Sequence, residues 1–170
     1  MSRSLNVTWE DPIAAFAAGK ALAGLDYMKE MIAGRIAPPP IMRLMGFRLT
    51  QVGEGLAVFE CEPGEQHYNP IGVVHGGLAM TLLDSAMGCC VQSRTPAGGG
   101  YTTLEAKTNL VRAITDKTGR LRAITAKTGT IRATGKVIHL GGKTATAEAR
   151  LEDAAGKLYA HGTTTCIILG

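Results

Sequence analysis

The feature that most limits the fold of this chain is one long apolar segment. Residues 76–91 (GGLAMTLLDSAMGCCV) are rich in Ala, Leu and Met and too long for one strand, so we predict a helix there. Apolar side chains lie on nearly all of its sides, which predicts a buried helix. Asp84 is the only formal charge between Gln66 and Arg94. The fold must therefore enclose a central helix that carries one carboxylate.

Segments with the two-residue period of β-strands lie on both sides of this helix. Two of them flank a Gly-Glu-Gly turn and predict a hairpin, and in another Ala and Leu alternate with polar residues. The predicted strands are residues 47–52, 56–61, 101–112, 143–151 and 158–169. Short turns join most of them, so we predict a largely antiparallel sheet of at least five strands wrapped around the helix. This is an α+β architecture with one core.

The N-terminal part of the chain has a different pattern. Apolar residues recur at helical spacing across residues 11–34, which predicts one or two helices with a break near Gly24. Three prolines, residues 38–40, then end any helix and predict a stiff extended linker. We therefore divide the chain into a helical extension, residues 1–37, and a main domain, residues 38–170. A chain of 170 residues is too short for two large domains.

Charge and composition argue against several classes of function. The net charge is +4, but the basic residues are scattered and only 5% of residues are aromatic, so we expect no nucleic-acid partner. No run of about 18 apolar residues lacks a charge and no targeting segment is recognisable, so we expect a cytoplasmic protein with no membrane contact. None of the four cysteines forms a CxxC pair, so we expect reduced core thiols and no metal site.

A candidate site lies where the predicted helix begins. Gly76 and Gly77 let a ligand approach the backbone closely, and the first N–H groups of a helix stay free to bind a carbonyl or an oxyanion. His75 and the amide of Asn69 precede them, although Asn-Pro is also a common turn. A buried, unpaired carboxylate costs several kcal/mol. Asp84 therefore caps backbone groups, faces a wet subunit interface or acts on a substrate.

The spacing of these residues has a consequence for assembly. Gly76 and Asp84 are eight residues apart, or roughly 12 Å along a helix at about 1.5 Å per residue. One carbonyl cannot bind the Gly76 amide and also present an attacking water to Asp84 of the same chain. If both act on one substrate, they come from different subunits. Two antiparallel central helices around a two-fold axis would form two identical sites per homodimer.

Around these residues the sequence resembles the hotdog-fold acyl-CoA thioesterases of the phenylacetate-degradation (PaaI) type, within the 4-hydroxybenzoyl-CoA thioesterase superfamily. The residues that carry the resemblance are His67, Asn69, Gly72, the HGG of 75–77 and the LLDSAMG of 82–88. The resemblance continues through later strands and covers roughly residues 38–169. It implies a curved antiparallel sheet around a long central helix. It also implies homodimers with shared active sites, often paired into homotetramers.

The resemblance also implies roles for individual residues. The residue matching Asp84 activates water or attacks the thioester directly. The amide matching Gly76 polarises the thioester carbonyl with help from the side chain matching Asn69, and His75 orients the loop. A hydroxyl matching Thr103, or Thr102 in the alternative register, positions the water.

The predicted reaction is hydrolysis of an acyl-CoA that carries an aryl-acetyl or a short- or medium-chain acyl group. A thioester is already activated, so a carboxylate and an oxyanion site suffice and we expect no cofactor. Met80 and Met87 are core residues by default, yet could line an acyl pocket, and Gly77 and Thr102 are further candidates for substrate contact. Candidates for binding the CoA phosphates are Arg112, Arg120, Arg122, Lys143 and Arg150.

Two alternative functions stay open. One is a non-catalytic acyl-CoA-binding sensor with the same fold, which would not need Asp84. The other is an enoyl-thioester hydratase in which His67 or His75 pairs with Asp84. A tandem decamer, residues 114–123 and 124–133, departs from the family pattern and is most simply interpreted as a lengthened surface hairpin.

Overall fold

The computed structural model describes residues 2–115 and 129–169. Helices and strands follow one another in the order α1 (Pro12–Gly19), α2 (Gly24–Ile32), α3 (Pro40–Met45), β1 (Phe47–Gly53), β2 (Leu56–Cys61), α4 (Gly76–Gln92), β3 (Gly100–Leu110), β4 (Ile131–Leu140), β5 (Thr144–Asp153) and β6 (Leu158–Leu169). A short 3-10 turn, Glu65–His67, lies in the loop before α4. The predicted central helix is α4, and the predicted strands are all present.

The six strands form one curved antiparallel sheet in the order β1-β2-β4-β5-β6-β3. Helix α4 packs mainly on β4 and β5. The predicted alternation in β5 is confirmed, because Ala145, Ala147, Ala149 and Leu151 are at most 1% exposed. Strands β1 and β3 are the two edges of the described sheet. This arrangement is the α+β hotdog fold that the sequence predicts.

A glycine in β4 lets the central helix approach the sheet closely. A Cβ atom on Gly135 would lie 2.2 Å from the carbonyl oxygen of Ala86 in α4. The sheet-facing side chains of α4, among them Leu82 and Leu83, are fully buried in the same core. Gly135 therefore sets how deeply α4 sits in the curve of the sheet.

The prediction that α4 is buried is confirmed for the sides that pack on the core but is wrong for one face of the helix in the single chain. Met80 is 47% exposed and Asp84 is also exposed, while Ser85 and Cys89 are half-buried. The reason is geometric, because the sheet and the N-terminal helices cover only part of the helix surface. We call this uncovered stripe, which includes Gly76, Met80, Asp84 and Ser85, the open face of α4.

The prediction that the three prolines form an extended linker holds for Pro39, whose backbone is extended, but is wrong for Pro40. Helix α3 begins at Pro40, where the fixed φ of proline suits the first helical position. It ends at Gly46, whose φ of 63° is in the left-handed region that glycine tolerates best. Helix α3 thus leads directly into β1.

The prediction of two N-terminal helices with a break near Gly24 is confirmed, since α1 ends at Gly19 and α2 begins at Gly24. A Cβ atom on Gly24 would lie 1.8 Å from the carbonyl oxygen of Gln92, so the start of α2 contacts the end of α4. Met28 of α2 is 1% exposed and belongs to the main core. The domain boundary after residue 37 stays a prediction.

Part of the tandem decamer can be placed. Ile114 is buried, and residues 131–133 form the beginning of β4. The predicted hairpin falls on residues 116–128, which lie outside the described residues together with Arg120 and Arg122. Among the described helices, none is long and apolar enough to cross a membrane.

Candidate active site

His67 anchors the loop that leads into α4. Its Nδ1 accepts the N–H of Gly64 at 2.9 Å, and its Nε2 lies 3.1 Å from the carbonyl oxygen of Met45. These partners fit a neutral ring with the proton on Nε2, and burial lowers the pKa of His67. Its carbonyl oxygen also accepts the N–H of His75 at 2.7 Å. His67 therefore holds the loop, and neither ring nitrogen is free to exchange a proton with a substrate.

Asn69 shapes the tip of the same loop. Its Oδ1 accepts the N–H groups of Ile71 at 3.1 Å and Val73 at 3.2 Å, while its own N–H donates to the carbonyl of Val73. Gly72 completes the turn with a φ of 80°, where a side chain would be strained. Within residues 2–115 and 129–169, the Nδ2 of Asn69 has no hydrogen-bond partner. The half-buried side-chain amide keeps two N–H groups for a ligand.

The first N–H groups of α4 are not equivalent. His75 is the N-cap, and its Nδ1 accepts the N–H of Gly77 at 2.8 Å. The N–H of Leu78 donates to the carbonyl of His75 at 3.1 Å. In the part of the chain that the structure describes, the N–H of Gly76 has no acceptor. Gly76, not Gly77, therefore offers a backbone donor at the helix start, where the helix dipole favours negative charge.

Asp84 projects from the open face of α4 toward the edge strand. The Oγ1 of Thr103 in β3 donates to Oδ1 of Asp84 at 3.2 Å. Successive side chains of a strand point to opposite faces, and Thr102 is exposed while Thr103 is half-buried. The structure therefore assigns the hydroxyl beside Asp84 to Thr103 rather than to Thr102.

Tyr101 is a neighbour of this pair that the sequence reasoning missed. Its hydroxyl lies over Gly88 of α4, where an added Cβ would be 2.1 Å from the oxygen. Burial raises the pKa of Tyr101 well above its usual value, so the phenol stays protonated. The signal available in the sequence was the glycine in the middle of an otherwise well-formed helix.

Burial makes the two adjacent thiols of α4, Cys89 and Cys90, unreactive. It raises the pKa of Cys89 and of Cys90 to about 12. A thiol with such a pKa is protonated at neutral pH and is a poor nucleophile. Among the described residues, no group of His, Cys, Asp or Glu could hold a metal ion.

A cavity of about 710 Å³ opens beside Asp84. It lies between α1, α2, the open face of α4 and the start of β3, and apolar side chains form most of its wall. Neither Met80 nor Met87 lines it. Met87 is 1% exposed because it points into the core, so its expected contact with an acyl group is not supported. Met80 lies on the open face, one turn before Asp84.

The predicted site residues thus fall into two groups within one chain. Asp84 and Thr103 lie beside the cavity, whereas Asn69, His75 and Gly76 lie at the start of α4. The helix is unbroken between Gly76 and Asp84, which separates the two groups by roughly 12 Å. One copy of the chain does not bring them together.

Three of the candidates for phosphate binding lie among the described residues. Arg112 donates to the carbonyl of Leu158 at 2.6 Å, and Arg150 forms an ion pair with Glu152 at 2.9 Å. Glu152 and Leu158 are paired across β5 and β6. Lys143 is exposed just before β5.

Comparison with known proteins identifies the family. The sequence profile described as "Thioesterase superfamily" matches residues 71–160, more than half of the chain. The chain belongs to the thioesterase superfamily. It has the hotdog fold and is a thioester hydrolase. No curated protein sequence matches this thioesterase significantly.

Solved structures similar to this thioesterase agree in fold. A conserved protein of Pseudomonas aeruginosa is 28% identical, with a TM-score of 0.67 over 78% of this chain and 95% of the other. A phenylacetic acid degradation-related protein of Ralstonia eutropha is 22% identical, with a TM-score of 0.70 over 83% and 98%. A variant of the phenylacetic acid degradation protein PaaI of Thermus thermophilus is 24% identical, with a TM-score of 0.64 over 76% and 98%.

Proposed function

We propose that this thioesterase hydrolyses an acyl-CoA to the free acid and CoA, with Asp84 as general base or nucleophile. The observation that carries the proposal is the Asp84–Thr103 hydrogen bond at the wall of an apolar cavity. A carboxylate held by one hydroxyl keeps its second oxygen for a water or a carbonyl carbon. An apolar cavity beside it suits an aryl-acetyl or a short- or medium-chain acyl group.

As a general base, Asp84 takes a proton from a water whose oxygen bonds to the thioester carbonyl carbon. The carbon–sulfur bond of the tetrahedral intermediate then breaks, and the CoA sulfur takes the proton back from Asp84. As a nucleophile, Asp84 instead bonds to the carbonyl carbon, the carbon–sulfur bond breaks, and CoA leaves as a thiolate. Water then opens the resulting anhydride to the free acid and the Asp84 carboxylate, and a proton of that water goes to the CoA thiolate. Thr103 keeps the carboxylate oriented in both routes.

The Gly76 amide and the Nδ2 of Asn69 form the proposed oxyanion site. Both donors lack a partner within the described residues; the Gly76 amide lies at the positive end of α4, and Asn69 lies in the loop that leads into this helix. Donors aimed at a developing oxyanion contribute about 10²- to 10³-fold each to turnover. His75 positions this site indirectly, because its ring caps the Gly77 N–H and leaves that of Gly76 open.

A complete site requires a second copy of the chain. The edge strand β3 is exposed over much of its length, with Leu104 at 59%, and it adjoins the open face of α4. Two copies related by a two-fold axis can pair these edges and bring Gly76 of one copy to Asp84 of the other. We propose this homodimer as the active unit and its pairing into a homotetramer as the larger assembly. The four free thiols of each chain suit a cytoplasmic location.

The two alternatives have less support. A hydratase needs a second acid or base, and both rings in question are engaged by backbone groups, His67 through both nitrogens and His75 through Nδ1. An acyl-CoA sensor has no need of the Asp84–Thr103 pair.

The first experiment measures release of free CoA from acetyl, hexanoyl, decanoyl, benzoyl and phenylacetyl thioesters. We expect Asp84→Asn to lower turnover by about 10²-fold or more, since general-base catalysis contributes that much. Asp26→Asn is the matched control, because Asp26 is an exposed aspartate on α2 that pairs with Lys29. Tight acyl-CoA binding without Asp84-dependent release would support the sensor instead.

A single turnover in H₂¹⁸O tests for the anhydride route. If water attacks the aspartyl carbon of the anhydride, ¹⁸O stays in Asp84 and an Asp84 oxygen goes into the product acid. The general-base route, and attack of water on the acyl carbon, put ¹⁸O only in the product. Mass spectrometry of the peptide that contains Asp84 therefore identifies the anhydride if that peptide carries ¹⁸O.

A further inference from the structure

Helix α1 turns one side toward the cavity beside Asp84. The α1 residues that line the cavity are Pro12, Ala15, Phe16 and Gly19, with Lys20 at the C-cap. Their spacing of three, four, seven and eight residues is that of one helix face. The intervening residues, among them Ile13 and Ala14, do not line the cavity. Helix α1 therefore contributes a defined wall.

This wall is apolar and uncovered in the single chain. Phe16 is 61% exposed although its side of α1 faces the cavity. Asp11 caps the N–H of Ile13 at 2.8 Å at the beginning of α1, and Gly19 packs on the ring of Tyr27 at its end. The part of the wall around Phe16, which is exposed, is therefore available to a ligand.

The cavity is elongated along the central helix. Asp84, Ser85, Cys89 and Gln92 line it from α4, and eight residues from Asp84 to Gln92 span roughly 12 Å. The carboxylate lies at one end of this stretch. Cys89 contributes a neutral thiol, because burial keeps its pKa at about 12. On the opposite wall, α2 contributes Tyr27, Met28 and Met31.

We propose that α1 and the facing side of α2 form the acyl pocket and give the enzyme a preference for an unbranched medium-chain acyl group over acetyl. The inference rests on the proposed acyl-CoA hydrolysis. A channel of this length beside the catalytic carboxylate fits a chain better than a single ring. The specificity residues lie outside residues 71–160, the part that matches the superfamily.

The test compares paired variants on the two sides of α1. Ala15→Trp fills the cavity and Phe16→Ala removes its wall, while Ala14→Trp and Ile13→Ala make the same changes on the side that does not line it. The measured quantity is the ratio of kcat/KM for decanoyl-CoA to that for acetyl-CoA. We expect Ala15→Trp and Phe16→Ala to lower this ratio about tenfold, the effect of losing burial of one or two methylene groups, and both controls to stay within about twofold.

A second measurement does not depend on catalysis. Decanoyl-CoA and acetyl-CoA are titrated calorimetrically into Asp84→Asn, with and without Ala15→Trp. We expect Ala15→Trp to weaken the binding of decanoyl-CoA about tenfold relative to that of acetyl-CoA. Unchanged ratios in both measurements would overturn the acyl pocket while leaving an Asp84-dependent hydrolysis intact. Hydrolysis that survives Asp84→Asn would instead overturn the catalytic proposal, and the kcat/KM ratios would still test the pocket.

Two further outcomes also count against the inference. In one outcome, these variants change the ratio of kcat/KM for phenylacetyl-CoA to that for acetyl-CoA but leave the decanoyl-CoA ratio unchanged. The pocket would then bind an aromatic ring and not an unbranched chain. A change of oligomeric state in Ala15→Trp without a change of either ratio would show that a second copy of the protein covers this wall. Thermal unfolding verifies that each variant is folded.

Discussion

The hydroxyl of Thr103 donates to the carboxylate of Asp84 across 3.2 Å, and so joins the edge strand to the central helix. The contact lies beside a cavity and on a helix face that the chain itself does not cover. The candidate catalytic carboxylate, Asp84, is thus oriented by an edge strand of the described sheet. Its position depends on the path of β3.

Loss of the Thr103 hydroxyl is expected to reduce turnover without changing the fold. Thr103→Val keeps the shape of the side chain but leaves Asp84 without its donor, and we expect kcat to fall about tenfold, in line with the loss of one hydrogen bond to a charged group. Thr103→Ser is expected to restore most of the activity. A larger effect from Thr102→Val than from Thr103→Val in the CoA-release assay would contradict the assignment.

Mixing two inactive proteins tests whether the site is shared. Asp84→Asn and Asn69→Ala each inactivate both sites of their own homodimer, whereas a mixed dimer keeps one whole site. Equal mixing with exchange of subunits is expected to recover about a quarter of the wild-type activity. Mixed dimers verified by native mass spectrometry that stay inactive would argue for sites built within one chain.

Gly135 is expected to be required for the packing of the central helix. Gly135→Ala places a methyl group against the backbone of α4, where the added Cβ would lie 2.2 Å from the carbonyl oxygen of Ala86. We expect a loss of about 2 kcal/mol in the free energy of unfolding, measured with urea. Gly142→Ala is the matched control, because no atom lies within 4 Å of its added Cβ.

The buried thiols predict a loss of stability in alkali. Burial raises the pKa of Cys61 to about 11 and those of Cys89 and Cys90 to about 12, from 9.0. Because the folded-state pKa values are the higher ones, this contribution is complete below pH 9 and is lost progressively up to about pH 12. The free energy of unfolding should therefore fall between about pH 9 and pH 12.

The matched variant for this effect is Cys89→Ala, which removes one of the buried thiols. Its urea unfolding should show a smaller fall over the same interval, because fewer protons differ between the folded and unfolded states. An equal fall in Cys89→Ala and the wild type would show that Cys89 does not contribute, and would assign the effect to the other buried groups, Cys61, Cys90 and Tyr101.

Much of the fold follows from local patterns in the sequence. The apolar run predicts a helix over residues 76–91, and α4 spans Gly76–Gln92. The alternation in residues 143–151 predicts β5, because a strand that packs on a helix buries every second side chain. Pro40 was misinterpreted as a break, since proline at the first position of a helix starts it as readily as proline elsewhere ends it.

The site was harder to predict than the fold because it depends on surfaces rather than on local pattern. The exposure of Asp84 depends on what covers the open face of α4, which periodicity along one chain does not encode. The side to which Met87 points depends on how α4 is rotated against the sheet. Gly88 within a helix indicates a close approach, but its partner Tyr101 follows only from the tertiary fold.

The exposed edge of β3 also has a consequence for the life of a newly made chain. Unpaired backbone groups along a long strand with exposed leucines, Leu104 and Leu110, are a template for wrong pairing with other proteins. Pairing of these edges in the proposed homodimer would compete with aggregation from the moment the sheet forms, since both depend on concentration. Expression level and temperature during synthesis would then decide how much of the enzyme reaches its working form.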